Sequence, residues 1–549
     1  MKRFGILLCI LLFALAAWPV SVWAQYPYWK YDRLIEANAG HQASSPSVAV
    51  SGAKAVAVWI QEYGGIPRVY SNYSTNGGAT WHTAKLIEDN AGYMAGEVQV
   101  ALSGSNAVAV WTQDVGYMKV HANYSTDGGA TWHTDRLIEY PAGTQSGSVR
   151  VMMSGTRVLA TWTHEYSGAL HTYFNASQDG GKTWRDYPLQ IETTTTHESK
   201  YPSGAVSGSN MVVVWSRSDG FNQRVFYNAS SNGGLNWRGE ATLGHAGYDV
   251  YNPKVALSGT SAVAVWEQKS STGNWRIYSS YSTDAGQTWH ADKLVADLGT
   301  ADQNKPQVVM TGSSAVVTWR QSDPVSPALI DSCFSTDGGA NWSTAQALET
   351  GNVYPADDPQ LALSGSRVAS IWAESDGIAT RIFANFSPNK GATWRSVRKV
   401  DGLSGANGSY PQVALSSSAI VAVWRVFDGS NSRIAANNAT FTATQKDKLK
   451  PPKLVSPANG ATGVATGVSF QWTDTNSLPQ ERKVKLRLKP AGGVYKTFTV
   501  PANYVSYFIS GLTRGKTYSW NVMAVGNGTN ILNSTWANGG VDWKFTTQF

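Results

Sequence analysis

Tyr124-Ser125-Thr126-Asp127-Gly128-Gly129-Ala130-Thr131-Trp132 recurs in recognisable copies from residue 74 to residue 394. The copies run Ser74 to Trp81, Ser125 to Trp132, Ser177 to Trp184, Ser230 to Trp237, Ser282 to Trp289, Ser335 to Trp342 and Ser387 to Trp394, and successive terminal tryptophans stand 51 to 53 residues apart. A fixed period near fifty residues with strand-like filling means a propeller or a related repeat array. Each copy reads as a turn. The Ser and Asp/Asn oxygens accept bonds from backbone N–H groups a few residues on, glycine supplies a positive φ, and the tryptophan packs back on the strands. Asn76, Asp127, Asp179, Asn232, Asp284, Asp337 and Asn389 are therefore assigned a structural role.

A second landmark precedes each turn: a small or β-branched run ending in tryptophan, as in Ala55-Val56-Ala57-Val58-Trp59 and Ala262-Val263-Ala264-Val265-Trp266. Continuous apolarity suits strands covered on both faces, as in stacked blades. Eight such tryptophans occur, Trp59, Trp111, Trp162, Trp215, Trp266, Trp319, Trp372 and Trp424, against seven turn copies. The mature N-terminus supplies the difference. Trp29-Lys30-Tyr31-Asp32-Arg33-Leu34-Ile35-Glu36 reads like Trp132-His133-Thr134-Asp135-Arg136-Leu137-Ile138-Glu139, the back half of a unit without its front. The unit from Pro411 to about Thr442 lacks that back half. Joining the two predicts an all-β chain: an eight-bladed β-propeller of four-stranded blades closed by the N-terminal strand, with Trp29, Leu34 and Ile35 entering the closing blade, plus a small C-terminal β-sandwich.

The pattern Ser-x-Asp/Asn-x-Gly-x-Thr/Asn-Trp resembles the Asp box, the bacterial neuraminidase (BNR) repeat of sialidases and several other propeller families. That resemblance implies the fold and places the boxes away from any active site; a shared fold does not fix function. The sialidase catalytic domain has six blades, an arginine trio gripping the substrate carboxylate, a Tyr nucleophile with a Glu partner, an acidic Asp and an Arg-Ile-Pro motif near its start. Here the nearest string is Ile66-Pro67-Arg68, in another order, and Arg68 belongs to a repeated set with Arg224, Arg276, Arg381 and Arg433. A residue repeated in five units reads as structural. Arg217, Arg320 and Arg425 break the repeat and are the candidates for a carboxylate clamp; the alternative pairs them with the neighbouring Asp219, Asp323 and Asp428.

Met1-Lys2-Arg3, the apolar run that follows and Val22-Trp23-Ala24 read as a secretory signal over residues 1–24, so the product is expected to be periplasmic, extracellular or surface-associated. The mature chain then holds one cysteine, Cys333, and no later stretch is long and apolar enough for a transmembrane segment. The net charge of +7 is unevenly shared: after Pro451, ten Lys and Arg face three acids. The large domain is thus close to neutral, and the basic pI is no nucleic-acid signal. The recurring Asn-x-Ser sequons at Asn72, Asn123, Asn175, Asn228 and Asn385 arise because the box serine lies two residues after a repeated Asn.

Function is sought in the loops that the units do not share, on the face opposite the boxes. Glu62, Asp114, His164, Glu165, Glu267, Glu374 and Asp376 follow the inner tryptophans there. His41, Tyr93, His197, Glu198, Tyr248, Asp249, Tyr251, Tyr354, Asp357, Asp358 and Tyr410 lie where the chain enters each unit, while Tyr201, Tyr251 and Tyr410 also read as packing residues just before a unit-opening proline. Aromatic rings beside carboxylates suit sugars. Tyr248, Tyr354 and Asp357 are taken as ligand-binding candidates, and Trp275 joins them because it is the tryptophan that the repeat does not require; its other reading is a ring folded over the next blade. No metal-ligand spacing, nucleophile elbow or phosphate loop occurs, and no cofactor is expected. The leading expectation is a secreted propeller that recognises a glycan or surface polymer without catalysis. The alternatives are a sialidase-like exo-glycoside hydrolase and a structural or protein-binding surface component.

The domains read as signal peptide 1–24, propeller 25–443, linker 444–452 and a C-terminal module 453–549. The linker is charged and ends in proline, Gln445-Lys446-Asp447-Lys448-Leu449-Lys450-Pro451-Pro452. The module resembles fibronectin type III domains in its Pro-rich entry, in Val468-Ser469-Phe470-Gln471-Trp472, and in the stretch from Gly511 to Val522 with Leu512 and Tyr518. Lys483, Lys485, Arg487 and Lys489 alternate with apolar residues, giving one strand a basic face. It reads either as a grip on an anionic surface or as an edge strand whose lysines discourage pairing.

Overall fold

The computed structural model describes residues 28–549 except 31, 37–39, 90–91, 140–143, 194–195, 245–246, 324–325, 350–353, 403–405, 442–446, 449–450, 474–482, 502–503, 526–530, 533 and 535. The expected signal segment and most of the expected linker lie outside the described residues. Eight antiparallel sheets follow one another along the chain. The first comprises Ala43–Ser51, Lys54–Tyr63, Ile66–Ser74 and the two-residue strand Lys85–Leu86, paired in that order. Six more repeat the pattern, with first strands Ala95–Ser103, Ser146–Ser154, Ser199–Ser207, Val250–Ser258, Asp302–Thr311 and Ala356–Ser364. The eighth holds Asn407–Leu415, Ala419–Phe427 and Ser432–Thr440. Its outer positions come from the start of the chain: Tyr28 and Trp29 pair with Thr440 and Ala439, and Arg33 and Leu34 with Ala436 and Ala435.

The first strand of each sheet neighbours the first strand of the next, and that of the eighth neighbours that of the first. These innermost strands form a ring about a central axis, the arrangement of a β-propeller. The cores lie between sheets. Each second strand places its tryptophan there, and all eight are fully buried.

The seven Asp boxes join third to fourth strands and dock the first seven sheets on their predecessors. In the second box, Ser125 Oγ donates to Asp127 Oδ1 (2.8 Å) and accepts from Gly129 N (2.9 Å), while Asp127 Oδ1 accepts from Thr131 N (2.9 Å). The same net recurs around Asn76, Asp179, Asn232, Asp284, Asp337 and Asn389. Desolvation raises the Asp127 and Asp284 carboxyls, but the bonds from Thr131, Ser125, Thr288 and Ser282 outweigh it and leave both below the ordinary aspartate value. The second box glycine takes positive φ and lies against the preceding sheet: a Cβ on Gly129 would sit 2.8 Å from Val56 Cγ2. For Gly78 in the first sheet the contact is Val421 Cγ2 in the eighth, at 3.0 Å, so the docking rule runs through the junction of chain start and chain end.

Trp29 packs partly buried against the last two sheets and Ile35 is buried against Trp59 and Ile434. Leu34, expected inside, is 44 % exposed. Ile35, the residue after the strand Arg33–Leu34, takes the inward position, so its neighbour Leu34 faces out.

The C-terminal residues form a β-sandwich. One sheet has Lys453–Ser456, Val468–Thr473 and Ser506–Ile509; the other orders Ala461–Val464, Trp543–Thr547, Thr517–Val525, Lys483–Pro490 and Lys496–Val500. Phe470, Trp472, Leu486, Trp520 and Phe545 fill the space between them. Tyr518 Oη accepts from Thr513 N at 2.9 Å, fixing the corner before its strand. The basic strand is not an edge: it pairs on both sides. The edge-protection reading therefore fails, and Arg487 on its basic face is held by Asp542 at 2.5 Å and by the Trp536 ring.

Candidate functional site

Boxes and first hairpins share one end of the sheets, since Gly77 N donates to Ala53 O and Gly128 N to Ser105 O. At the other end, every innermost strand carries a β-bulge at one register, between Ser44 and Ser47 in the first sheet and Ser409 and Gln412 in the eighth. Seven of the eight bulges hold a non-glycine residue at positive φ. Tyr201 (57°), Asn252 (50°), Lys305 (55°), Asp358 (53°) and Tyr410 (52°) occupy the fourth to eighth sheets, and Ser45 and Ser148 the first and third. Proline follows six of these residues and has no N–H to leave unpaired where the ladder is interrupted. The conformation costs about 1–2 kcal/mol per residue and aims chemically varied side chains at the mouth of the ring.

One buried carboxylate, Glu267, holds two of the bulges in place. Glu267 Oε1 accepts from Lys305 N (2.6 Å) and Asn252 Nδ2 (2.8 Å), joining the fifth sheet to the sixth. Lys305 Nζ reaches Asp357 (2.7 Å) and Asp358 (2.8 Å) on the seventh. Beside this charged group lies an aromatic one. Tyr251 stands edge-on to Trp275 with centroids 5.4 Å apart, and Tyr201 stands edge-on to Tyr251 at 6.5 Å. Lys200 and Glu198 pair at 2.9 Å next to Tyr201. The site thus offers ring faces, amides and charged groups of both signs on adjoining sheets.

Trp275 is half-buried and opens the strand Trp275–Ser282, its N–H donating to Asp302 Oδ1 at 2.9 Å. The ring leans on Tyr251 of the same sheet. Among the described residues no partner is shared by the three arginines, and Arg217 and Arg425 pair with residues other than the aspartates expected for them. Arg217 is buried, bonded to Glu192 (3.1 Å) and to both oxygens of Glu240 (2.8 and 3.0 Å), with its guanidinium over Phe226. Asp219 serves Arg224 instead. Arg320 contacts Ala356 O and, at 3.5 Å, Asp357; Arg425 donates to Ser409 Oγ at 3.1 Å and covers the Tyr410 ring. Arg320 and Arg425 therefore belong to the bulged mouth, and Arg217 to the sheet interior. Tyr248 (37 % exposed) and Tyr354 (39 %) line the same end, Tyr354 packing on Gly377. Asn252 and Lys305 escaped the sequence reading, although aligning the residue before each blade-opening proline singles them out.

His164 and Glu374, expected at the ligand face, are buried. Glu374 belongs to an unusual carboxyl cluster. An acid follows most short fourth strands and is met by a cationic or imidazole group of the third strand, as in Glu36 with Arg433, Glu88 with Arg68, Glu139 with Lys119 and Glu192 with His171. In the sixth sheet the third-strand position is Leu329, and Glu349 meets Glu374 and Asp331 instead. Burial, then the Glu374 charge, pushes the Glu349 carboxyl well above the ordinary range; burial alone pushes Asp331 up to about 6. A raised folded-state value gives stability that is full below the unfolded value near 4.5 and is lost as pH rises toward the folded one. Glu349→Gln keeps a donor to Glu374 and removes the titration. It should stabilise the protein by about 1–3 kcal/mol at pH 8 and by little at pH 4.5, read by calorimetric melting at both pH values. Equal melting temperatures of wild type and variant at pH 8 would refute this account.

Residues 44–214 match the BNR repeat-like domain model, and residues 280–291 match the BNR/Asp-box repeat. The chain carries BNR/Asp-box repeats. No curated protein matches it. Among solved structures, a protein of unknown function from Dyadobacter fermentans is 15% identical, covering 75% of this chain and 99% of that one, with a TM-score of 0.39. The polysaccharide lyase Uly1 is 10% identical over 62% of this chain and 89% of its own, with a TM-score of 0.43. The Trypanosoma rangeli sialidase in complex with sialic acid is 11% identical over 72% and 83%, with a TM-score of 0.35.

Proposed function

We propose that this is a secreted eight-bladed BNR-repeat propeller, closed by its N-terminal strands and followed by a fibronectin type III-like module, that binds a glycan at the bulged mouth without transforming it. The observation that carries the reading is the Tyr201, Tyr251 and Trp275 cluster beside Lys305, Asp357 and Asp358. Sugar C–H faces stack on such rings, while hydroxyl groups exchange hydrogen bonds with the flanking carboxylates and ammonium groups. The sialidase-like alternative needs converging arginines; Arg217 is engaged by two glutamates away from Arg320 and Arg425. The basic face of the C-terminal module, from Lys483, Lys485 and Lys489, would hold an anionic surface nearby. Among the described residues no helix is long and apolar enough to cross a membrane.

The test is a glycan array with the mature protein, followed by calorimetric titration of the best binder. Trp275→Ala should weaken that binding by about 1–3 kcal/mol, the size of one side chain's burial. Because the ring rests half-buried on Tyr251, a stability loss of about 1 kcal/mol should accompany it. Undiminished affinity in the variant, or release of product from fluorogenic sialosides by wild type, would reject the reading. A protein-binding role is favoured by one observation: Phe221 and Ile378, at hairpin tips on the same end, are 94 % and 89 % exposed.

A further inference from the structure

Two residues beyond each bulge, the innermost strands present a second tier of side chains around the axis. In the third and fifth sheets this tier holds Arg150 and Lys254; elsewhere it holds serine or glutamine, among them Gln99, Ser203, Gln307 and Gln360, and no acid. We propose that Arg150 and Lys254 form an oxyanion site in the axial channel, built to take a carboxylate or sulfate group.

Three observations support it. First, the two cations lack counter-ions of their own. Arg150 donates to the Val149 carbonyl at 2.8 Å, and Lys254 makes no hydrogen bond or ion pair among the described residues. Second, the two carboxylates whose charge reaches them, Glu97 and Glu267, form no ion pair with either cation among the described residues. Glu97 accepts from Val149 N at 3.2 Å, and Glu267 holds Asn252 and the Lys305 backbone. Third, their charges reach each other across the fourth sheet, whose residue in this tier is the small Ser203. Burial, and after it the like charge of Arg150, brings the Lys254 ammonium down to about 8. Burial likewise lowers Arg150. Two like charges held together in a partly desolvated channel are unfavourable until an anion joins them. A guanidinium fork beside an ammonium point charge, ringed by glutamine amides, is a donor set for oxyanions. Both side chains stay partly open to solvent.

The site does not depend on the glycan reading, since a free anion suffices to fill it. It also lies one tier below Tyr201 and Tyr251, so the same group could arrive on an acidic sugar. The mature full-length protein is titrated with sodium sulfate, sodium acetate, glucuronate and glucose at constant ionic strength in chloride, following heat of binding and melting temperature. Sulfate or acetate should bind saturably and raise the melting temperature, because a ligand of the folded state stabilises it by mass action. Lys254→Met and Arg150→Met should each weaken that binding by about tenfold or more, the share of one charged hydrogen-bonding partner. Lys254→Met should also melt no lower than wild type in chloride alone, which separates loss of a site from loss of fold. Glucuronate binding at least tenfold more tightly than acetate, with glucose inert, assigns the anion to a sugar; equal affinities assign it to free anions. Absence of saturable binding, or equal binding by wild type and both variants, overturns the proposal.

Discussion

Deletion of residues 25–38 is expected to lower the melting temperature of the mature protein far more than deletion of everything after Pro451. The reason lies in the eighth sheet, whose outer positions are filled, among the described residues, by Tyr28–Trp29 and Arg33–Leu34. Without them the strand Ser432–Thr440 becomes an edge in a sheet otherwise closed on that side. Trp29 and Ile35 leave cores they share with Trp424 and Trp59, each burial contributing about 1.5–3 kcal/mol. Arg433 loses Glu36, and the buried Asn437 loses Lys30 O (3.2 Å) and Asp32 Oδ1 (2.9 Å). Cavity and unpaired polar groups add to the transfer loss, for a total on the order of 5 kcal/mol or more. The C-terminal sandwich has its own core around Phe470 and Trp520, so its removal leaves the ring of sheets intact. Calorimetry of the two truncations checks this, and an N-terminal deletion that melts with the full mature chain would rule the closure out.

What was legible in the sequence, and what was not, follows the range of the interactions involved. The boxes could be read because Ser, Asp, Gly and Trp act on backbone atoms within four residues, so spacing alone encodes the net around Asp127 or Asp284. The displaced half-unit at Trp29 could be read because its partner unit visibly lacked it. The arginine partners could not. Nearby aspartates in sequence suggest pairs for Arg217, Arg320 and Arg425, yet each guanidinium has a partner outside its own strand, Glu240, Asp357 and Ser409 respectively. The positive φ of Tyr201, Lys305 and Asp358 is equally silent in the sequence, because nothing but the ladder forces an ordinary residue there. Trp275 was singled out by elimination, but its contact with Tyr251 depends on a strand pairing that composition does not reveal. The Glu349 cluster shows the converse. A single change from a basic residue to Leu329 in one repeat leaves three acids together, a defect visible only once the repeats are laid over one another in space.

Gly286→Ala should be among the most damaging single methyl additions in the large domain, at about 3–5 kcal/mol. Two costs coincide at this position. Gly286 has φ of 80°, where an L side chain costs about 1–2 kcal/mol. Its Cβ would also lie 2.6 Å from Val212 Cγ2 and 3.5 Å from Ala229 Cβ, both in the preceding sheet. Val212 is fully buried and β-branched, so its methyl cannot swing aside without leaving its rotamer. The box backbone cannot retreat either, since Gly286 N is held by Ser282 Oγ at 2.9 Å. Gly52→Ala separates the two costs, because Gly52 has a φ of 58° and nothing within 4 Å of its would-be Cβ. That variant should lose about 1 kcal/mol, the conformational share alone. The further difference measures contact between the fifth sheet and the fourth. Pairing Gly286→Ala with Val212→Ala should recover part of it, as expected for two side chains competing for one space. If Gly52→Ala and Gly286→Ala prove equally mild in denaturant titration, the boxes form turns without docking one sheet on another, and ring closure must rest on the innermost strands and the buried tryptophans.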